Sequence, residues 1–263
     1  MPDQLVNHIH WHYEERGSDL PVVLLHAFPI DHRLYNAQIE SLSTTHRIIV
    51  PDLPGFGQTP YDQPFTIQWQ AEQLHCLLKS IGALPCIIGG CSMGGYISFA
   101  FARTYPNDVA GLIFIDTKAE GDTPEQRHNR DRLIDLTDRH GPSIVADAML
   151  PKMLSEHSKR LHPKLEAQLR QIILSTPPST LKSALGALRD RADQIDFLPS
   201  IACPTLILVG ADDQITPLSN AETIKAGISH ASLISISNAG HLSPVENPEA
   251  VSHAIRAFIA RIK

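Results

Sequence analysis

Five short runs rich in Val, Ile and Leu recur along the chain, and each ends in turn residues. They are PVVLLHA (21–27), HRIIVPDLPG (46–55), CIIGGCS (86–92), VAGLIFIDT (109–117) and PTLILVGADD (204–213). An apolar run without alternation suits a strand buried on both faces. Helical patterns lie between most of them, notably IQWQAEQLHCLLKSIG (67–82) and SMGGYISFAFARTYP (92–106). Strand and helix in alternation predict a mostly parallel sheet wrapped by helices, an α/β fold. The opening LVNHIHWHYEERG (5–17) predicts antiparallel edge strands with His8, His10 and His12 on one face, and ASLISISNAGH (231–241) predicts a last strand.

From about Lys118 to Asp193 the strand pattern stops. TPEQ at 123–126 predicts a helix start, with Thr123 as N-cap, Pro124 at the first helical position and Gln126 reaching back. That helix should run to about His140 and end at Gly141. Leu165, Leu169, Ile172 and Ile173 mark the apolar stripe of another, and Leu181, Leu185 and Leu188 that of a third. Residues 118–193 are therefore expected as a helical insertion, not an independent domain, within a core of 1–117 and 194–263.

Composition narrows the function classes. With 43% hydrophobic and 19% charged residues and a net charge of −6, the chain is ordinary for a soluble globular protein. No run or stripe of Lys and Arg appears, which argues against a nucleic-acid partner. The insertion carries +2 against −8 elsewhere, a contrast that a solvated helical face explains as well as an anionic ligand does. No basic leader precedes an apolar stretch and no segment nears eighteen apolar residues, so a cytoplasmic protein with no membrane partner is expected. Cys76, Cys86, Cys91 and Cys203 lack ligand spacing, and nothing completes a shell around the HIHWH histidines. Neither a metal nor a disulfide is expected. No coiled-coil heptad or interface stripe appears, and the oligomeric state stays open.

Gly90-Cys91-Ser92-Met93-Gly94 matches G-x-S-x-G between a predicted strand and a predicted helix. A nucleophilic serine needs that setting: a strained turn that exposes its hydroxyl, flanked by residues small enough for the chains to pass. A glycine-rich packing turn is the plainer alternative. GGCSMGG supplies neither the G-x-G-x-x-G of a dinucleotide loop nor the G-K-[ST] of a phosphate loop. A serine hydroxyl must lose its proton to a base as it attacks, and histidine suits that role near neutral pH. His241, in NAGHLSPVENPEAV (238–251), follows a predicted strand and precedes a helix capped by Asn247 with Pro248 next. Asp212 and Asp213 follow the next-to-last strand, on the same edge of the sheet, and either could orient that base. The order Ser, Asp, His differs from the chymotrypsin and subtilisin orders and fits the α/β-hydrolase arrangement.

On these residues the chain resembles the α/β-hydrolase superfamily, in its small esterase-like branch with a helical cap after the sixth strand. The resemblance places the acid three residues after a glycine and four before a proline. Gly210, Asp213 and Pro217 match, so Asp213 is the implied acid, Asp212 a structural residue and Asp116 a second candidate. It also implies an oxyanion hole from the backbone N–H groups of Met93 and Phe28, the latter in LLHAFP (24–29), where Ala27 replaces the family's usual glycine. His26 is expected to shape that loop, and Asp52 to tie together the turn DLPGFGQT (52–59).

The implied activity is a serine esterase with the triad Ser92, Asp213 and His241, acting on a small-molecule ester or lactone without cofactor or metal. Met149, Leu150, Met153 and Leu154 are candidates for the substrate pocket or simply for packing among helices. C–C bond hydrolases, enol-lactonases and cofactor-free perhydrolases share the same triad, and some members are receptors with little turnover. A serine at the elbow argues against dehalogenases and epoxide hydrolases, which resemble this chain but carry aspartate there.

Overall fold

Residues 3–262 are described in a computed structural model of the protein, and the apolar runs form strands of one eight-stranded sheet. The chain opens with a hairpin. Strands β1 (Asp3–Val6) and β2 (Ile9–Arg16) pair antiparallel across Asn7 and His8, whose φ angles of 50° and 64° suit a tight hairpin turn. There follow β3 (Pro21–Leu25), helix α1 (Asn36–Leu42), β4 (Arg47–Pro51), α2 (Ile67–Ser80), β5 (Cys86–Cys91), α3 (Met93–Thr104) and β6 (Val109–Ile115).

The three expected helices of the insertion are α4 (Pro124–His140), α7 (Leu165–Ser175) and α8 (Pro178–Asp190). Two more, α5 (Ser143–Met153) and α6 (Glu156–Leu161), lie between them and escaped the sequence pattern. Pro151 sits inside α5, and α6 spans only 6 residues, so neither carries a readable period. The capping box forms as expected: Thr123 Oγ1 accepts the Gln126 N–H (3.2 Å) and Gln126 Oε1 accepts the Thr123 N–H (3.1 Å). The chain then returns through β7 (Thr205–Gly210), α9 (Leu218–Gly227), β8 (Ser232–Ile236), α10 (Ser243–Glu246) and α11 (Pro248–Ile259).

The spatial order is β1-β2-β4-β3-β5-β6-β7-β8, with β1–β2 and β2–β4 antiparallel and the remaining pairs parallel. Strands β3, β5 and β7 are buried along their whole length, which is why their sequences show no alternation. Helix α2 packs against α3 and α1 against α11. Phe99 of α3 stacks on Phe114 of β6 at 4.0 Å. No helix among the described residues is long and apolar enough to cross a membrane.

The expected three-histidine face does not form. His8 leaves the strand in the hairpin turn, and His8 and His10 are exposed. His12 is buried under the 52–59 loop, where its backbone N–H donates to Thr59 Oγ1 (2.9 Å). Because β3, β5, β6 and β7 run parallel, residues 26–28, 92, 116 and 213, which follow their carboxyl ends, gather on one edge. In open α/β sheets that edge is where ligands bind.

Candidate active site

Ser92 sits alone between β5 and α3 with φ 51° and ψ −109°. A side chain in that region costs roughly 1–3 kcal/mol and persists only where the surroundings hold it. Here the Ser92 N–H donates to the Ile115 carbonyl (3.0 Å), and the Ser92 carbonyl accepts from Gly95 N (2.9 Å), Tyr96 N (3.2 Å) and Thr117 Oγ1 (2.9 Å). The flanking glycines make the turn sterically possible. A Cβ on Gly90 would lie 2.6 Å from the Leu25 carbonyl oxygen, and one on Gly94 would overlap the same atom. Ser92 is partly exposed, and its hydroxyl has no hydrogen-bond partner among the described residues.

The turn after β7 delivers Asp213 to the same edge. Its Oδ1 accepts from Ile215 N (2.8 Å) and Thr216 N (3.0 Å), and its Oδ2 from the Thr216 hydroxyl (2.7 Å). Both oxygens face His241 Nδ1, at 3.1 and 2.9 Å. His241 is only 1% exposed. Burial pulls its imidazole down, but the charge and hydrogen bond of Asp213, with Asp116 and Glu246 behind, outweigh that and hold it above its ordinary value. Burial likewise pushes the Asp213 carboxyl up, and His241 and Thr216 overcome it, leaving the carboxyl below the usual range. With Nδ1–H committed to Asp213, Nε2 is the ring atom left to exchange a proton.

Glu246 fixes the backbone on either side of the imidazole. Its Oε1 accepts from Gly240 N (2.9 Å) and Leu242 N (3.1 Å), while Oε2 accepts from Ser155 N (2.8 Å) of the helical insertion. The His241 N–H donates to the Met153 carbonyl (3.0 Å), a second tie to the insertion. Cys91 Sγ lies 3.4 Å from the His241 carbonyl, which sets this loop against the residue preceding Ser92.

Asp116 does not hydrogen-bond His241. Buried, with φ 45°, it accepts from Gly210 N (2.7 Å) on one oxygen and from Ser243 N (3.0 Å) and Ser243 Oγ (2.7 Å) on the other. It therefore joins the ends of β6 and β7 to the loop that carries His241. Burial and the nearby Asp213 charge push its carboxyl up to about 7. Asp212 is exposed and meets neither Ser92 nor His241.

The N–H groups of Phe28 and Met93 have no hydrogen-bond acceptor within the described protein, so both stay available at the end of β3 and the start of α3. His26 is committed elsewhere. Its Nε2 must accept from the Leu53 N–H (3.1 Å), which puts the ring proton on Nδ1, facing the Ala27 carbonyl at 3.1 Å, and burial keeps the ring neutral by lowering its pKa. Asp52 binds His32 N (3.0 Å), His32 Nδ1 (2.8 Å) and Gln58 N (2.8 Å), tying the 52–59 turn to residue 32.

Metal-ligating atoms do meet there, which sequence spacing had not suggested: those of His12, Glu14 and His32, and of Asp31, His32 and Asp52, lie within 4.8 Å of one another. Their hydrogen bonds account for the clustering. His32 Nδ1 is held by Asp52, Asp31 by Arg33 (2.6 Å) and His12 Nε2 by Gln58 (3.1 Å).

Of the four insertion candidates, Met149 lines a cavity of about 340 Å³ together with Tyr96 and Thr216. The side chains of Leu150, Met153 and Leu154 are buried in the core. Thr216, Ser243 and Glu246 were missed as site residues, since each looks like an ordinary turn or helix-start residue. Only their partners, 3 to 127 positions away, mark them.

The match to the family model described as alpha/beta hydrolase fold spans residues 21–248, and the chain belongs to that family. Among its relatives, the AB hydrolase superfamily protein YisY of Bacillus subtilis is 30% identical over 95% of this chain and 96% of its own. A pimeloyl-[acyl-carrier protein] methyl ester esterase of Neisseria meningitidis is 26% identical over 90% of this chain and 93% of its own. A malate-bound thermophilic esterase from Thermogutta terrifontis superposes with a TM-score of 0.95 at 38% identity, over 99% of this chain and 98% of that one. These likenesses support a hydrolase acting on a small molecule.

Proposed function

We propose that the protein is a serine hydrolase that cleaves small carboxylic esters or lactones through an acyl-enzyme. The observation that carries this reading is the buried Asp213–His241 hydrogen bond (2.9 Å), set on the same sheet edge as a serine in a strained, partly exposed turn. Esterases among the relatives agree with it.

Ser92 Oγ attacks the acyl carbon while His241 Nε2 takes its proton and then returns it to the leaving alcohol. Asp213 stabilises the imidazolium formed in between. The N–H groups of Phe28 and Met93 receive the oxyanion, each worth about 3 kcal/mol in such a role. Water activated by the same imidazole then releases the acid and regenerates Ser92. Ser92 and His241 share no hydrogen bond in the unliganded protein. Such contacts commonly tighten only when substrate is bound. The helical insertion serves as the cap over this edge, tied to it through Ser155 and Met153.

The test is labelling with a fluorophosphonate probe, followed by mass spectrometry of the labelled peptide, alongside turnover of p-nitrophenyl butyrate. Label on Ser92 and loss of both label and turnover in Ser92→Ala are expected. Parent-rate hydrolysis by that variant would overturn the assignment.

A further inference from the structure

The cavity of about 340 Å³ that Met149 lines has an unusual charge balance for a pocket beside a triad. Its lining includes residues bonded to the proposed machinery. Thr216 donates to Asp213 and stands 3.3 Å from His241 Nδ1, and the Tyr96 N–H donates to the Ser92 carbonyl. Its wall also carries Lys118, Arg130 and Lys152 against the single carboxylate of Asp122.

That carboxylate is already engaged. Asp122 is bound by Arg130 Nε (2.9 Å) and, from behind the wall, by Arg191 Nη1 (2.6 Å), whose guanidinium also lies over the Tyr96 ring at 4.3 Å. Lys118, only 8% exposed, is left 3.7 Å from Asp122 and spends one N–H on Gln126 Oε1 (3.1 Å). An ammonium has three donors, and the others find no acceptor within hydrogen-bonding distance among the described residues. Burial and the Arg191 charge hold the Lys118 ammonium below its ordinary value, against the opposing pull of Asp122 and Glu120. A buried cation in that condition gains most from a further anion.

We propose that this cavity is a carboxylate-binding subsite, which selects ester substrates carrying a second, ionised carboxyl group a few bonds from the scissile carbonyl. The proposal rests on the serine hydrolase reading for the chemistry of the residues that Thr216 and Tyr96 bond. Lys118 supplies a buried point charge, and Arg130 supplies the guanidinium edge not used by Asp122. Lys152 adds positive charge to the wall. A volume of about 340 Å³ suits a short acyl chain ending in such a group.

The test compares two esters of equal acyl length, p-nitrophenyl hexanoate and the mono-p-nitrophenyl ester of adipic acid, after subtraction of spontaneous hydrolysis. The ratio of their kcat/KM values should favour the charged ester by about tenfold to a hundredfold, the range expected of a hydrogen bond to a charged group. The preference should shrink as salt is raised. Lys118→Met and Arg130→Gln should each reduce the ratio at least about tenfold. A ratio of one or below in the parent protein, or one that neither folded variant moves, would overturn the proposal.

Competitive inhibition of the parent protein by adipate against hexanoate gives a readout that needs no variant. Tighter inhibition by hexanoate would also count against the subsite. If neither ester turns over, the hydrolase reading fails separately. Calorimetric binding of adipate, lost in Lys118→Met, would then support the subsite, and no heat of binding would refute it.

Discussion

Replacing Asp213 with Asn removes a charge but almost no volume. The carboxylate oxygen stands 2.9 Å from His241 Nδ1, which puts the two charge centres about 4 Å apart once the imidazolium forms. At an effective dielectric constant of about 20, that pair is worth about 4 kcal/mol. On the serine hydrolase reading, above the pKa of His241 the imidazolium forms only in the transition state, so the loss falls on catalysis. At 1.4 kcal/mol per factor of ten, kcat/KM for p-nitrophenyl butyrate should fall about a thousandfold. A second readout fixes the cause. Protonated His241 cannot accept the serine proton, so parent activity should drop as pH falls through a value above the ordinary imidazole pKa, where Asp213 holds it. In Asp213→Asn the burial contribution dominates, and the acid limb of the pH profile should move to lower pH. A folded variant, verified by circular dichroism, that loses less than about tenfold or keeps its acid limb in place would refute this account of the pair.

A methyl group added in Gly94→Ala would overlap the Leu25 carbonyl oxygen, so the close approach of α3 to β3 at this residue is lost. Stability measured by denaturant should fall by about 1–3 kcal/mol, and a change under about 1 kcal/mol would show that the approach is softer than it looks. Asp116→Asn sets an amide N–H₂ against either Gly210 N–H or the Ser243 donors. It should cost about 1–3 kcal/mol by thermal or chemical unfolding, and an unchanged midpoint would mean that the carboxylate does not brace the His241 loop.

Much of the fold was legible because its cues are local. Unbroken apolar runs marked the buried strands, and Thr123 with Gln126 marked the start of α4. Gly90 and Gly94 around Ser92 marked a tight strand-to-helix turn. The exceptions were equally local in origin: His8 was lost to the hairpin turn, and α5 and α6 were too short or too proline-broken to show a period.

Sequence by itself determined the alternation of strand and helix and the tight turn around Ser92. Such features depend on residues within a turn or so of one another, where periodicity and backbone preference act. Only the tertiary structure decided that His241 meets Asp213, leaving Asp212 in solvent and Asp116 bracing the loop from behind. The same holds for Glu246, which clamps both neighbours of His241, and for Lys118, Arg130 and Lys152, which face one cavity across the insertion. Most of those meetings join segments well separated along the chain, and packing of the sheet edge against the inserted helices brings them about.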